Sequence, residues 1–211
     1  MMKQFNSSES CIKKNKNNLK KINTMKKLFV IALALVLSIN LSAQTETKTV
    51  KTDKSKILWK GYKVLGSHEG TIQVKSGTLD FKDGKLTAAE FTVDMTTLKS
   101  TDLEGEMAAK LNGHLKSDDF FGVETYKTST LKTTKVVSKS KNSYTVTADL
   151  TIKGKKNPIT FEAAVYGSKA NATLKVDRTL YDIKYGSTGF FDGLGDKAIY
   201  DEFDLVVDLQ F

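Results

Sequence analysis

Apolar and polar residues alternate along much of the chain after residue 55, and this pattern predicts β-strands. In the run SYTVTADLTIKG, every second residue from Tyr144 to Ile152 is apolar, and the residues between them are threonine or aspartate. The runs PITFEAAVY and IYDEFDLVVDLQF follow the same alternation. Because successive side chains of a strand point to opposite faces, each strand is expected to have one buried face and one solvent-facing face.

Eight strands are predicted, with turn sequences between several of them. They lie near residues 56–65, 69–81, 85–95, 125–137, 143–154, 158–166, 170–185 and 199–211, the seventh being one long strand or two short ones. Turn sequences such as KDGK and KKNP separate them, and short connections favour antiparallel neighbours. The pattern predicts an all-β antiparallel fold. One-faced strands suit a closed barrel at least as well as a sandwich, and periodicity by itself does not separate the two.

The segment from Thr96 to Phe121 breaks the alternation and predicts a short helix. Within DLEGEMAAKLNGHL, Met107, Leu111 and Leu115 recur at helical spacing, and Gly113 weakens the end of the helix. Such a helix can close one end of a barrel. An eight-stranded barrel has an interior just wide enough for filling side chains or for one small ligand.

The first 43 residues differ in composition from the rest of the chain. Residues 1–24 are polar without an apolar period, and they are predicted to be a leader that does not fold. Residues 25–43 combine a basic start, an apolar run and small residues before Gln44, which is typical of a signal peptide cleaved near Ala43. Met25 is then a candidate initiator, and an uncleaved anchor is the alternative. We therefore expect a folded domain at 44–211, in the periplasm or secreted.

Removing the leader changes the charge of the protein. The full chain has 33 Lys and Arg against 24 Asp and Glu, a net charge of +9. Eight of the lysines and one of the acids belong to residues 1–43, which leaves 25 bases and 23 acids in the predicted domain. The net positive charge of the full chain therefore gives no argument that the predicted domain binds nucleic acid. Cys11 also lies in the leader, so the predicted domain has no thiol for a disulfide or a metal.

His68 and His114 are the two histidines, and with Glu69, Asp118 or Asp119 they suggest a His–carboxylate metal site. Their wide separation, without an HExxH or HxH pair, instead favours hydrogen-bonded histidines at a rim. The serines lie outside any GxSxG motif, and the acids are typical of a protein surface. No catalytic residue, metal or cofactor is predicted.

Arg178 is the single arginine of the chain and continues the apolar face that ends at Val176. Its side chain is therefore expected to point inward, where an unpaired charge is unfavourable. A bulge, a structural ion pair or contact with a ligand head group each accounts for this, and a structural pair is favoured.

Two pairs of phenylalanines, 120–121 and 190–191, fall in segments predicted as loops. Paired phenylalanines in a loop either fill the end of a core or face a ligand, and core filling is the more common outcome. Two such pairs fit the closure of a barrel mouth.

Several of these segments resemble the YceI family of lipid-binding or polyisoprenoid-binding proteins. The similar segments cover most of residues 53–211 and include KLNGHLKSDDFFGVETY, YTVTADLTIKG and VDRTLYDIKYGS, in the family's order. The resemblance implies an exported, lipocalin-like, eight-stranded antiparallel β-barrel whose apolar channel holds a long-chain isoprenoid or fatty-acid-like molecule. One departure is Lys127, where the family commonly has proline after tyrosine.

The predicted function is a carrier or scavenger of one such lipid, without catalysis. Residues predicted to line the cavity and its mouth are Trp59, Phe81, Phe91, Leu111, His114, Phe120, Phe121, Phe161, Arg178, Ile183, Tyr185, Phe190 and Phe191. One alternative is an enzyme acting on a lipid or quinone, with His68 and His114 as acid and base. Another is a side-chain-filled barrel serving as a stress-related interaction domain. Family analogy also raises a homodimer as a candidate assembly.

Overall fold

Nine strands, one α-helix and three short 3₁₀ turns make up residues 44–211, the part of the chain that the computed structural model describes. The strands are β1 Thr45–Thr49, β2 Lys56–Lys63, β3 Gly66–Lys82, β4 Lys85–Ser100, β5 Thr128–Ser138, β6 Ser143–Ile152, β7 Lys155–Tyr166, β8 Lys169–Asp177 and β9 Ile199–Gln210. The helix is α1 Gly105–Lys116, and the 3₁₀ turns are Thr52–Lys54, Arg178–Tyr181 and Gly195–Lys197.

The strands close into a barrel because every one of β2 to β9 has a partner on both sides. Neighbours follow the order β3, β2, β9, β8, β7, β6, β5, β4, and β4 then pairs with β3, always antiparallel. Strand β1 pairs with Thr78–Lys82 of β3, and β2 pairs with Gly66–Ile72 on the same edge of that strand. β1 and β2 therefore act as one strand broken by a 3₁₀ turn. The predicted eight-stranded antiparallel barrel with one helix is confirmed, and the sandwich alternative is wrong.

The two ends of the barrel differ in their connections. At one end, which we call the hairpin end, only the short turns 83–84, 139–142 and 167–168 join the strands. The other end, the cap end, carries two long connections, 101–127 with α1 and 178–198, besides the turns 64–65 and 153–154. Most of the residues outside the strands therefore lie at the cap end.

Aromatic side chains fill the hairpin end. The rings of Phe81 and Phe211 pack with centroids 5.7 Å apart. Tyr144 is almost fully buried, and its hydroxyl oxygen accepts a hydrogen bond from the backbone N–H of Leu86 at 3.4 Å. Such rings bury large apolar areas, so this packing fills the hairpin end of the barrel.

Three elements differ from the sequence prediction. The predicted strand over 170–185 ends at Asp177, whose carboxylate accepts hydrogen bonds from the backbone N–H and the hydroxyl of Thr179 and so starts a 3₁₀ turn. Strand β4 continues to Ser100 beyond the predicted residue 95, and β1 was not predicted. In α1, Leu115 is buried as the helical spacing suggests, whereas Met107 in the first turn is exposed.

The leader and signal-peptide predictions concern residues 1–43, which lie outside the described residues. Among the residues that are described, no helix has the length and apolar character needed to cross a membrane.

Candidate functional site

A cavity of about 260 Å³ lies inside the barrel. Its wall takes side chains from all eight barrel strands, from α1 and from the segment that follows α1. One water molecule needs roughly 10–15 Å³ of comparable space, so the cavity is far larger than a packing defect. It approaches the lower bound of roughly 300 Å³ that is usual for ligand pockets.

The wall is apolar because the inward residues of the alternating strands form it. On β9, Phe203, Leu205 and Val207 face the cavity in turn. Small residues leave the space open: Ala163 of β7 pairs with Ala172 of β8, and both belong to the wall. Alternation in the sequence indicates these inward positions, although the predicted site gave weight mainly to the aromatic ones.

Eight of the thirteen predicted site residues belong to the cavity wall: Trp59, Phe91, Leu111, His114, Phe120, Phe121, Phe161 and Arg178. Their contact with a ligand stays a prediction. The indole N–H of Trp59 donates to the backbone oxygen of Lys99 at 3.2 Å, which fixes its ring against β4.

Five residues predicted for the cavity or its mouth lie outside the cavity wall, and their contact with a ligand also stays a prediction. Phe81 packs against Phe211 at the hairpin end, and Ile183 is fully buried elsewhere in the core. Tyr185, Phe190 and Phe191 belong to the 178–198 connection, and about half of each side chain is exposed. The alternation predicted for Ile183 and Tyr185 fails because the chain after Asp177 is not a strand.

A chain of edge-to-face aromatic contacts closes the cap end. The His114 ring lies 4.5 Å from that of Tyr185 and 5.5 Å from that of Phe120. Phe120 contacts Phe121 at 5.2 Å, and Phe121 contacts Phe203 of β9 at 6.3 Å. The helix and the segment after it are thereby held onto the barrel wall.

Arg178 is buried at the cap end and is hydrogen-bonded mainly to backbone. Its Nη1 donates to the oxygen of Ile183 at 2.7 Å, Nη2 to Ile199 at 2.9 Å and Nε to Tyr200 at 3.1 Å. Its one carboxylate partner is Asp201, at 3.4 Å. Burial lowers the pKa of Arg178, against the opposing effect of the nearby aspartates. The inward side chain is therefore explained by a structural pairing at the end of β8 rather than by a bulge.

His68 lies at the cap end of β3, where its side chain reaches the cavity wall. Its Nδ1 is 2.8 Å from Oδ2 of Asp102, and both side chains are partly exposed. Burial acts to raise the pKa of Asp102, but hydrogen bonds from His68 and from backbone amides outweigh it and the pKa is lowered. Within residues 44–211, no group of three or more His, Cys, Asp or Glu side chains is arranged to hold a metal ion.

Three buried side-chain atoms in residues 44–211 have no hydrogen-bond partner: His114 Nε2, Ser129 Oγ and Ser100 Oγ. His114 and Ser129 belong to the cavity wall, whereas Ser100 does not. Ser129 was not among the predicted site residues, because a single serine at the start of a strand carries no distinguishing sequence signal.

The fold and the cavity define a class of protein: a closed antiparallel barrel, capped by a helix, around an apolar interior. The family model described as "YceI-like domain" matches residues 48–211, and the chain belongs to this family. This confirms the family resemblance noted in the sequence.

Relatives and solved structures agree with this assignment. A UPF0312 protein of Vibrio parahaemolyticus is 30% identical over 151 residues, covering 68% of this chain and 75% of the relative. The crystal structure of BcnA from Burkholderia cenocepacia is similar with a TM-score of 0.57 and 23% identity, over 76% of this chain and 98% of that one. A polyisoprenoid binding domain from Saccharophagus degradans, implicated in plant cell wall breakdown, has a TM-score of 0.50 and 12% identity, over 79% and 99%. At these identities, the two structures show the shared fold.

Proposed function

We propose that this protein is an exported, non-enzymatic carrier or scavenger that holds one long-chain isoprenoid or fatty-acid-like lipid inside the barrel. The observation that carries the proposal is the large cavity with an apolar wall. The description of the Saccharophagus degradans domain as polyisoprenoid-binding supports the same class of ligand. The export rests on the signal-peptide pattern of residues 25–43.

Apolar burial is sufficient to drive the binding. Each methylene removed from water contributes roughly 0.8 kcal/mol, so about ten of them contribute roughly 8 kcal/mol before the costs of ordering the chain. Because the wall supplies this contact along the whole barrel, no charged partner is needed for affinity.

Mass spectrometry of organic extracts from the purified protein tests the proposal. We expect one long-chain lipid per barrel, and uptake of a labelled isoprenoid or fatty acid after the protein has been stripped of lipid. Protein that is repeatedly empty and takes up neither probe would contradict it.

A cavity-filling variant connects the uptake to the cavity itself. Ala163→Phe places a ring in the wall of the cavity on β7, whereas Ala164→Phe places the same ring on the outward face of the same strand. Exclusion of about two methylenes costs roughly 1.6 kcal/mol, which corresponds to about a tenfold weaker affinity. We expect this loss in Ala163→Phe and not in the control; equal uptake by both variants would place the lipid outside the barrel.

An enzyme acting on a lipid or quinone is a second candidate, favoured by one observation. A carboxylate that orients an imidazole beside a cavity, as Asp102 does for His68, is an arrangement that general bases use. A variant with both His68→Ala and His114→Ala tests it: retained lipid uptake, and no chemical change of the lipid by the unaltered protein, would remove the support for catalysis.

A further inference from the structure

The strand ladder of the barrel is interrupted between β7 and β8. These strands form four residue pairs, and Ala163 with Ala172 is the last of them toward the cap end. By contrast, β8 pairs with β9 along its whole length. Within residues 44–211, the ladder gives residues 155–162 of β7 and 173–177 of β8 no partner in each other's strand. We call this gap in the ladder the seam.

The sequence contains a physical reason for the seam. The backbone N–H of Val165 donates to the oxygen of Asn142, on the side of β6. Because the backbone groups of successive strand residues point to opposite neighbours, the even-numbered residues of β7 point theirs toward β8. Pro158 is one of these and is the single proline of the chain, so β7 lacks an N–H donor at the position where Asp177 would pair. Proline in a sheet is confined mainly to edges, and β7 is an edge along the seam.

The cavity lies behind the seam. Phe161 of β7 and Leu174 of β8 occupy opposite positions when the register is extended across the seam, and both belong to the cavity wall. Phe161 is partly exposed, whereas Val146, its ladder partner on β6, is buried. Side-chain contacts, and not ladder hydrogen bonds, therefore close the barrel wall at this place.

One side-chain hydrogen bond spans the seam at its cap side. The Nδ2 of Asn157 on β7 donates to the backbone oxygen of Leu180 at 2.8 Å, and Leu180 belongs to the 3₁₀ turn that follows β8. The ladder between β4 and β5 also ends early, but there the N–H of Ala89 donates to the hydroxyl of Thr133 at 2.9 Å, directly after the last pair. The bond between Asn157 and Leu180 is therefore the polar contact that holds the seam closed.

We propose that the seam is the portal through which a lipid chain enters and leaves the cavity, and that the Asn157–Leu180 hydrogen bond keeps this portal closed between these events. The inference rests on the proposed function and deepens it, because it assigns the step that controls the loading of the cavity. Opening the seam requires one hydrogen bond to break and the side chains of Phe161 and Leu174 to move apart. The four existing residue pairs between β7 and β8 stay in place.

Entry through the cap end would disrupt more contacts. It requires α1 or the 178–198 connection to separate from the barrel, which parts the ring of Phe121 from that of Phe203 and breaks the bond from Arg178 to Ile199. Arg178 is buried, so water does not immediately replace this bond. Local opening takes place where few hydrogen bonds hold the backbone, and the seam is such a place.

A reversible cross-link over the seam tests the portal. The double variant Thr160→Cys/Lys175→Cys places one thiol on each side of the seam, at exposed positions that are opposite in the extended register. Cys11→Ser is added to every cysteine variant, so that the introduced thiols are the only ones. Bifunctional methanethiosulfonate reagents of graded length join the two thiols, and a reductant removes the link.

The measured quantities are the rates of uptake and release of a fluorescent fatty acid and a fluorescent polyisoprenol, followed by energy transfer from Trp59 in the cavity wall. We expect the linked protein to exchange its probe at least about tenfold more slowly than the same protein after reduction. The affinity should stay unchanged, because a barrier on the route slows uptake and release by the same factor. The matched control is Thr147→Cys/Thr160→Cys with the same link, which joins β7 to β6 where these residues already pair. The rates of this control should not change.

Asn157→Ala tests the hydrogen bond across the seam independently of any cross-link. The variant lacks the Nδ2 donor, so the seam should open more often, and the exchange rates should rise by about three- to tenfold, which is the effect of one hydrogen bond. Asn142→Ala, in the turn 139–142 at the hairpin end, controls for the loss of an asparagine side chain and should leave the rates unchanged.

Unchanged exchange in the linked seam variant, or equal slowing in the β6–β7 control, would overturn the portal while leaving lipid binding intact. Unchanged rates in Asn157→Ala would overturn the part assigned to its hydrogen bond. If the reduced protein takes up neither probe, the proposed function fails, and the portal fails with it.

Discussion

Replacing Arg178 with methionine removes the hydrogen-bonding group that ties the 178–198 connection to β9. The residue is 2% exposed, so water cannot easily replace the lost donors. Methionine keeps an unbranched apolar side chain, so the substitution removes the guanidinium group and retains most of the packing of the aliphatic part. The carbonyls of Ile183, Ile199 and Tyr200 lose a donor together.

The size of the effect follows from these three acceptors. A buried acceptor left without a partner costs about 1–3 kcal/mol, which applies in full to the oxygen of Ile183, whereas the part-buried oxygens of Ile199 and Tyr200 add less. Part of this is offset because a charge no longer has to be kept in the interior, and Asp201 is exposed enough to be hydrated. We therefore expect the free energy of unfolding to fall by about 2–4 kcal/mol, and Tm to fall by about 5–12 °C.

Urea unfolding followed by tryptophan fluorescence measures this change, since Trp59 is the only tryptophan and lies in the cavity wall. Lys175→Met, on β8 three residues before Arg178, is the control. Its ammonium group forms exposed ion pairs with Glu202 and Asp204, at 3.5 and 3.4 Å, so its unfolding midpoint should stay unchanged within error. The loss of stability in Arg178→Lys should lie between those of Arg178→Met and Lys175→Met, because one ammonium cannot reach all three carbonyls.

A loss below about 1 kcal/mol in Arg178→Met would refute the reasoning, because it lies within the range of ordinary surface substitutions. It would mean that the three carbonyls find water or other donors, and that the 178–198 connection is held by its other contacts.

Four further predictions concern pH and backbone packing. Burial raises the pKa of Tyr181 to about 12 from 10.0, so its contribution to stability is complete below pH 10 and is lost as the pH rises toward 12, by about 2–3 kcal/mol in all. In urea unfolding at graded pH, Tyr181→Phe should remove this fall in the free energy of unfolding. The pKa of Asp102 is lowered from 3.8, so its stabilisation is present at neutral pH and is lost on acidification below that value; Asp102→Asn should cost up to ~1 kcal/mol at pH 7 and weaken the acid dependence. At Gly70, an added Cβ would overlap the backbone oxygen of Lys99, so Gly70→Ala should destabilise by about 1–3 kcal/mol in the same assay. Gly113→Ala, in the helix with open space around it, should instead stabilise by about 0.5–1 kcal/mol.

The strands and most of their turns were predictable because they depend on local sequence. The predicted KKNP turn is wrong, since residues 155–158 belong to β7 and the turn lies at 153–154. The Asp83–Gly84 and Lys153–Gly154 turns have positive φ at both residues, as type I′ hairpin turns require. The inward face of each strand follows from the same alternation. The aromatic wall residues on strands, such as Phe161, were found in this way.

Barrel closure was not determined by these local signals. It depends on pairs such as Ile57 with Val207, in which strands from distant parts of the chain complete the ring. The open space inside depends in turn on small residues that meet across strands, such as Ala163 and Ala172. The sequence shows each alanine but does not show that the two are paired.

The long connections were the part that the sequence predicted least well. Alternation predicted a strand over residues 170–185 that includes Ile183 and Tyr185, yet the backbone leaves the ladder after Asp177. Side-chain direction in such a segment is set by tertiary hydrogen bonds, in this case those of Arg178, rather than by a repeat along the chain.

The two ends of the barrel therefore differ in how their polar groups are paired. Strand ladders satisfy the backbone at the hairpin end, and rings such as those of Phe81 and Phe211 fill it. The three unpaired buried atoms found in residues 44–211 all lie toward the cap end, on Ser100 at the end of β4, His114 in α1 and Ser129 at the start of β5. All three residues lie within the 101–127 connection or within two residues of its ends. The order of the hairpin end therefore follows from the strand ladders, whereas the order of the cap end depends on the contacts that the two long connections make with the barrel.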